Sequence, residues 1–173
     1  MKKSVRGFTI VELLIVIVVI AILAAITIVA YNGIQSRARD TQRASDISVF
    51  LKALENYRTI NGVYPNATPT AGDGGWESSY TDVSNPANFM EYLDMTRRPL
   101  DPISNSTYRY RYYKYAAGYS GCDATKGGYM VLIVYFENAA SKPTGKSLNC
   151  INAPGYVLND SGTQYIMAKY DNE

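Results

Sequence analysis

Hydrophobic positions along the chain fall into two regimes. From Phe8 to Ala30 every residue is apolar except Thr9, Glu12 and Thr27. The run exceeds the about 20 residues that a helix needs to cross a bilayer core, so it predicts a membrane-length helix. Further on the pattern turns amphipathic. Ile47, Phe50, Leu51, Leu54 and Tyr57 recur at i, i+3, i+4 and i+7 and mark one buried helix face. Asn61-Gly62 is a good helix stop. Between Val63 and Thr107, prolines and glycines break any long element, although Asn88 to Asp94 fits a short helix. Three strand candidates follow: YRYRYYKY from Tyr108 to Tyr115, YMVLIVYFE from Tyr129 to Glu137, and QYIMAKY from Gln164 to Tyr170. The expected fold is α+β: a long N-terminal helix whose second half packs on a small antiparallel sheet of three or four strands.

Charge at the ends of the apolar run sets its direction. Lys2, Lys3 and Arg6 precede it, which favours an N-terminus in the cytoplasm and the remaining chain outside. A cleaved secretory signal has a shorter apolar stretch, roughly 7–15 residues, and a small-residue cleavage site after it. Glu12 is the anomaly. A carboxylate at the centre of a spanning helix costs about 2.5–3.5 kcal/mol on insertion scales, and less near the interface. No basic residue follows Glu12 within the run, so its partner must come from elsewhere.

The stretch Gly7-Phe8-Thr9-Ile10-Val11-Glu12-Leu13-Leu14 resembles the class III signal of type IV pilins and pseudopilins. A short basic leader ends in glycine, phenylalanine follows, and glutamate is the fifth residue after the junction. The resemblance implies a prepilin peptidase that cuts between Gly7 and Phe8 and methylates the new amine of Phe8. It also implies that this amine meets Glu12 of a neighbouring subunit during assembly. A desolvated pair of this kind is selective in geometry even where its net stabilisation is modest, so it acts as a register pin. Gly62-Val63-Tyr64-Pro65 and Leu100-Asp101-Pro102 look like two short pseudopilin signatures. The chain departs from the family where Ala21 and Val29 replace a common glycine and proline, which leaves Gly33 as the first soft point in the helix.

The family's organisation implies a leader over 1–7 and a long helix over 8–61, with 8–30 as membrane anchor and filament core. A connecting region over 62–107 and a sheet head over 108–173 follow. The function implied is a structural subunit of a type IV pilus-like filament for adhesion, twitching motility or DNA uptake. The alternatives are a pseudopilin of a type II secretion-like system and an anchored surface domain that does not assemble. The partners implied are the prepilin peptidase, other pilin subunits in a homopolymer, an inner-membrane assembly platform, and the membrane before assembly. The location implied is the cell membrane first and an extracellular pilus afterwards.

Composition narrows the chemistry. There is no histidine, and no carboxylate pair or thiol–base pair stands at a recognisable spacing, so neither catalysis nor a metal or cofactor is expected. Cys122 and Cys150 lie beyond the anchor and would be exported to an oxidising space, where a disulfide is the default. The loop it closes would stabilise the head by about 3–4 kcal/mol in the chain-entropy model. YRYRYYKY interleaves rings and cations as single-strand nucleic-acid platforms do. The net charge of +2 is small, and losing Lys2, Lys3 and Arg6 leaves slightly more acids than bases. The pattern thus admits a nucleic-acid partner without predicting one, and Tyr108, Tyr110 and Tyr112 are expected inside with Arg109 and Arg111 in water. Arg37, Arg39, Asp40, Arg43 and Asp46 read as a solvated helix face, with salt bridges between subunits as the functional option. Asp101, Asp123 and Asp160 lack the converging spacing of a calcium loop. Gly145-Lys146-Ser147 lacks the first glycine of a phosphate loop, since Ala140 stands there. The triplets at Asn66, Asn105 and Asn159 match the glycosylation sequon and read as turns.

Overall fold

The computed structural model describes residues 7–68, 75–80, 89–95, 97–148, 150 and 162–173. The chain forms two compact units, Met1–Ser36 and Arg37–Glu173. One helix, α1 (Ile10–Asn61), contributes to both.

In the first unit, α1 starts at a capping box. Thr9 is the N-cap and Glu12 stands three residues on. The Glu12 amide donates to Thr9 Oγ1 at 3.2 Å, and the Thr9 amide donates to Glu12 Oε2 at 2.8 Å. Two otherwise orphaned amides are satisfied reciprocally. The helix runs through Gly33 without a break.

In the second unit, α1 ends where the sequence places its stop. Gly62 adopts φ 77°, a left-handed conformation that glycine takes without a Cβ clash. Its amide donates to Arg58 O at 2.8 Å and closes the helix. Four strands follow: β1 (Glu77–Ser78), β2 (Tyr110–Tyr115), β3 (Tyr129–Tyr135) and β4 (Gln164–Tyr170). They form an antiparallel sheet in the order β1-β2-β3-β4. The three long strands fall on the expected segments. β1 is an addition, too short and too polar for a pattern search to find. The short helix expected over Asn88 to Asp94 is not formed in its described part, Phe89–Asp94, which makes turns with Met90 left-handed at φ 53°.

Alternation along the strands explains why both faces of the sheet are covered. The inner face presents Tyr110, Tyr112, Met130, Leu132, Val134 and Tyr165 to Ile47, Phe50 and Leu54 of α1. These are the helix positions that the i, i+3, i+4 pattern selects. The outer face presents Tyr115, Tyr129, Val131, Ile133, Ile166, Ala168 and Tyr170. β3 is buried at six successive positions, so its apolar run is continuous rather than alternating. The outer edge of β4 is protected by Lys146, whose amide donates to Ile166 O at 2.9 Å.

Gly128 marks a close crossing. Its Cβ would meet Tyr115 O at 2.6 Å and Lys114 Cε at 2.9 Å. The missing side chain lets Lys114 of β2 reach over the start of β3 and pair with Asp171 just beyond β4.

Candidate assembly site and head clamp

Gly7 and Phe8 precede α1 directly, and Phe8 is 88% exposed. The apolar side chains from Ile10 to Ile28 that the structure describes are exposed throughout. Among the described residues none covers them, and the helix is long and apolar enough to cross a membrane. Such a surface needs lipid or another protein around it. Glu12 is the acid in the first turn of this helix. Thr9 Oγ1 donates to Glu12 Oε2 at 2.7 Å, alongside the Thr9 amide. Both bonds fall on Oε2, and neither uses Oε1. Thr9 thus stands beside Glu12 at this helix start, a position that the apolar pattern alone does not single out. Thr-x-x-Glu ahead of an apolar run is its signature in the sequence.

The charged stretch of α1 overturns its sequence reading. Asp40 and Arg43 are 0% exposed and Asp46 6%, so they do not form a solvated face. Arg43 donates through Nε and Nη2 to the two oxygens of Asp101, at 2.7 and 3.0 Å. Its Nη1 donates to Asp40 Oδ1 at 2.8 Å and to Glu137 Oε1 at 2.9 Å. Arg39 makes a second fork, to Glu137 Oε1 at 2.7 Å and Oε2 at 2.6 Å. Asp40 also accepts the amides of Glu137 and Asn138, each at 2.9 Å. The cluster thereby clamps α1 to the 101–104 turn and to the segment after β3. A planar guanidinium suits it because five donors in a fixed fork satisfy several carboxylates at once.

Electrostatics follow from this geometry. The Arg39 fork holds the Glu137 carboxyl down at about 2, with Arg43 adding to it. Burial works against the Arg43 charge, but the bonds to Asp101 and Glu137 outweigh it and push its pKa up. At Asp46 burial prevails. Burial raises its pKa, only partly offset by the Tyr110 hydroxyl, which donates to it at 2.7 Å.

The tyrosines from Tyr108 to Tyr112 follow the expected alternation only in part. Tyr110 and Tyr112 are fully buried, while Tyr108 is half-buried beneath Arg43, whose guanidinium carbon sits 4.7 Å from the ring centre. Arg109 and Arg111 are half-buried rather than immersed in water, and Arg111 lies 4.8 Å from the centre of the Trp76 ring. Cys122 and Cys150 form a disulfide with their Cα atoms 4.4 Å apart. Asp101 spends its oxygens on Arg43 and on the Ile103 and Ser104 amides. Asp123 accepts from Thr125. Among the described residues no cluster could hold a metal ion. Asp160 and the Asn159 triplet lie outside the described residues.

Comparison with known proteins agrees with the exposed helix. Residues 2–28 match the family described as the prokaryotic N-terminal methylation motif. The type II secretion system core protein G of Vibrio cholerae is 33% identical over 112 residues, covering 64% of this chain and 72% of that protein. The Escherichia coli protein of the same name is 32% identical over 103 residues, covering 58% and 68%. A fimbrial protein of Pseudomonas aeruginosa is 32% identical over 80 residues, covering 46% and 51%. No solved structure matches the chain. An uncovered apolar helix headed by Gly7-Phe8 and Glu12, a sheet head and these relatives converge: the chain belongs to the type IV pilin and pseudopilin family of structural filament subunits, and is not an enzyme.

Proposed function

We propose that this chain is the repeating subunit of an extracellular type IV pilus-like filament, built through its N-terminal helix. The carrying observation is the uncovered apolar surface of α1 with one carboxylate in its first turn. Before assembly the helix lies in the membrane, with the N-terminus in the cytoplasm. A prepilin peptidase removes residues 1–7 between Gly7 and Phe8 and methylates the Phe8 amine. In the membrane Glu12 is held by Thr9, so its charge has polar partners in a medium that supplies none. During assembly the Phe8 ammonium of a neighbouring subunit approaches the same carboxylate and sets the axial register. The apolar surface then exchanges lipid for neighbouring helices. Residues 8–61 form the long helix, 62–107 the connecting region and 108–173 the head. The head faces outward and serves adhesion, twitching or DNA uptake.

A second reading has a specific observation behind it. The chain covers 72% of the Vibrio cholerae core protein G and only 51% of the Pseudomonas fimbrial protein. A pseudopilin of a secretion system is built by the same processing and the same helix.

Intact mass and N-terminal analysis of sheared surface material is the first test. Expected is a chain that begins at N-methylated Phe8 and is recovered in fibres. A chain that keeps Met1 to Gly7, or is missing from sheared fibres, counts against the filament reading.

A further inference from the structure

A pocket of about 510 Å³ lies where β2 leaves the sheet. Tyr113, Tyr115 and Tyr119 line it together with the polar residues Lys114, Asp171 and Asn66, and Tyr119 is the most exposed of the three rings. The volume falls within the range of about 300–1,000 Å³ usual for small-ligand sites. Tyr119 is 48% exposed, yet its ring stacks on buried Tyr115 with centroids 4.8 Å apart and planes at 23°. Tyr115 stacks in turn on Tyr129 at 4.9 Å.

The turn that displays Tyr119 is unusual. Gly118, Ser120 and Gly121 all have left-handed backbones, with φ of 76°, 54° and 73°. A non-glycine residue in that region costs energy and clusters at functional sites. Cys122, half of the disulfide, follows at once and ties the turn to the 150 segment. An exposed ring held in one pose before any partner arrives lowers the ordering cost of binding.

Charge restricts the ligand. Lys114 is the one cation and Asp171 the one anion among the lining residues, and they pair with side chains 9% and 6% exposed. A self-neutralised pair has little pull on phosphate or carboxylate. It still offers a strong donor and a strong acceptor to hydroxyl groups. The electron-rich face of tyrosine accepts the polarised C–H face of a sugar ring. We propose that this pocket binds a neutral saccharide, with a pyranose stacked on the exposed ring of Tyr119 and its hydroxyls on the polar lining groups of Lys114, Asp171 and Asn66. The site goes beyond the filament reading and does not depend on assembly.

The test uses the full-length protein in micelles of a detergent without a sugar headgroup. Saturation-transfer NMR is recorded with galactose, mannose and N-acetylglucosamine, and separately with oligothymidine. Expected is saturable binding of at least one sugar in the millimolar range, at up to about 50 mM ligand. Tyr119→Phe should keep that binding, and Tyr119→Ala should weaken it about tenfold or more. Because Tyr119 is exposed, the alanine variant should keep its circular dichroism and its incorporation into filaments. Three results would overturn the proposal: no sugar binds, Tyr119→Ala binds sugar as well as the parent chain, or only oligothymidine binds.

Discussion

Arg43 joins three carboxylates, those of Asp40, Asp101 and Glu137, in one buried cluster. Removing it would strand Asp40 and Asp101 as buried charges without their shared cation. Arg43→Ala should therefore lower the stability of the head by about 3–5 kcal/mol in urea unfolding. Arg37→Ala, nearly two turns earlier on an exposed position, should stay within about 0.5 kcal/mol. Glu137 adds a pH dependence with a defined sign. Its folded pKa of about 2 lies below the ordinary glutamate value of 4.5. Its stabilisation is thus complete above about 4.5 and is lost as pH falls towards 2. Glu77 and Asp46 act oppositely, since burial raises both, and their ionisation costs the folded state at and above the ordinary carboxylate range. Glu137→Gln should be less stable at neutral pH and show a flatter stability profile below 4.5. An unchanged slope in that acid range would show that the Arg39 fork contributes little.

At the scale of elements, the outer face of the sheet is a run of rings closed by a covalent tie. Trp76, Tyr113, Tyr115, Tyr129 and Tyr170 follow one another with centroid separations of 4.5–5.9 Å. Cys122 packs in the same cluster, and the disulfide to Cys150 closes a loop of sequence separation 28 around β3. Reducing it should cost the head about 3–4 kcal/mol if the chain-entropy account holds. The inner-face core lies on the other side of the sheet and does not include the cysteines. Reduction should therefore lower the thermal midpoint while leaving the far-ultraviolet spectrum at low temperature unchanged. Loss of the strand signal on reduction would mean that the tie is needed to form the sheet.

For the whole molecule, one helix serves two environments. Its first part is exposed among the described residues, and its second part is the wall of the head core. The two tasks separate experimentally. Glu12→Ala should leave membrane insertion, cleavage and head stability intact and sharply reduce incorporation into filaments. If Glu12→Ala entered filaments as well as the parent chain, the pairing with the Phe8 amine would be wrong. Arg43→Ala should do the reverse, weakening the head of a subunit that is still inserted and cleaved.

The parts legible in the sequence are those governed by local periodicity. The apolar run, the amphipathic turn from Ile47 to Tyr57, the glycine stop at Gly62 and the three long strands each write their environment into successive residues. The family motif at Gly7, Phe8 and Glu12 is equally local. Contacts between distant segments left no such trace. Arg43 meets Asp101 across 58 positions and Glu137 across 94, so a helix face that reads as solvated becomes the buried clamp of the head. β1 is two residues long and exists because Glu77 and Ser78 find Tyr112 and Arg111. The pocket wall likewise needs Tyr119 folded back on Tyr115 and Lys114 carried over Gly128 to Asp171. Periodicity records which side of an element is dry. Only the tertiary structure decides which partner stands on that side, because pairing energies act through space and not along the chain.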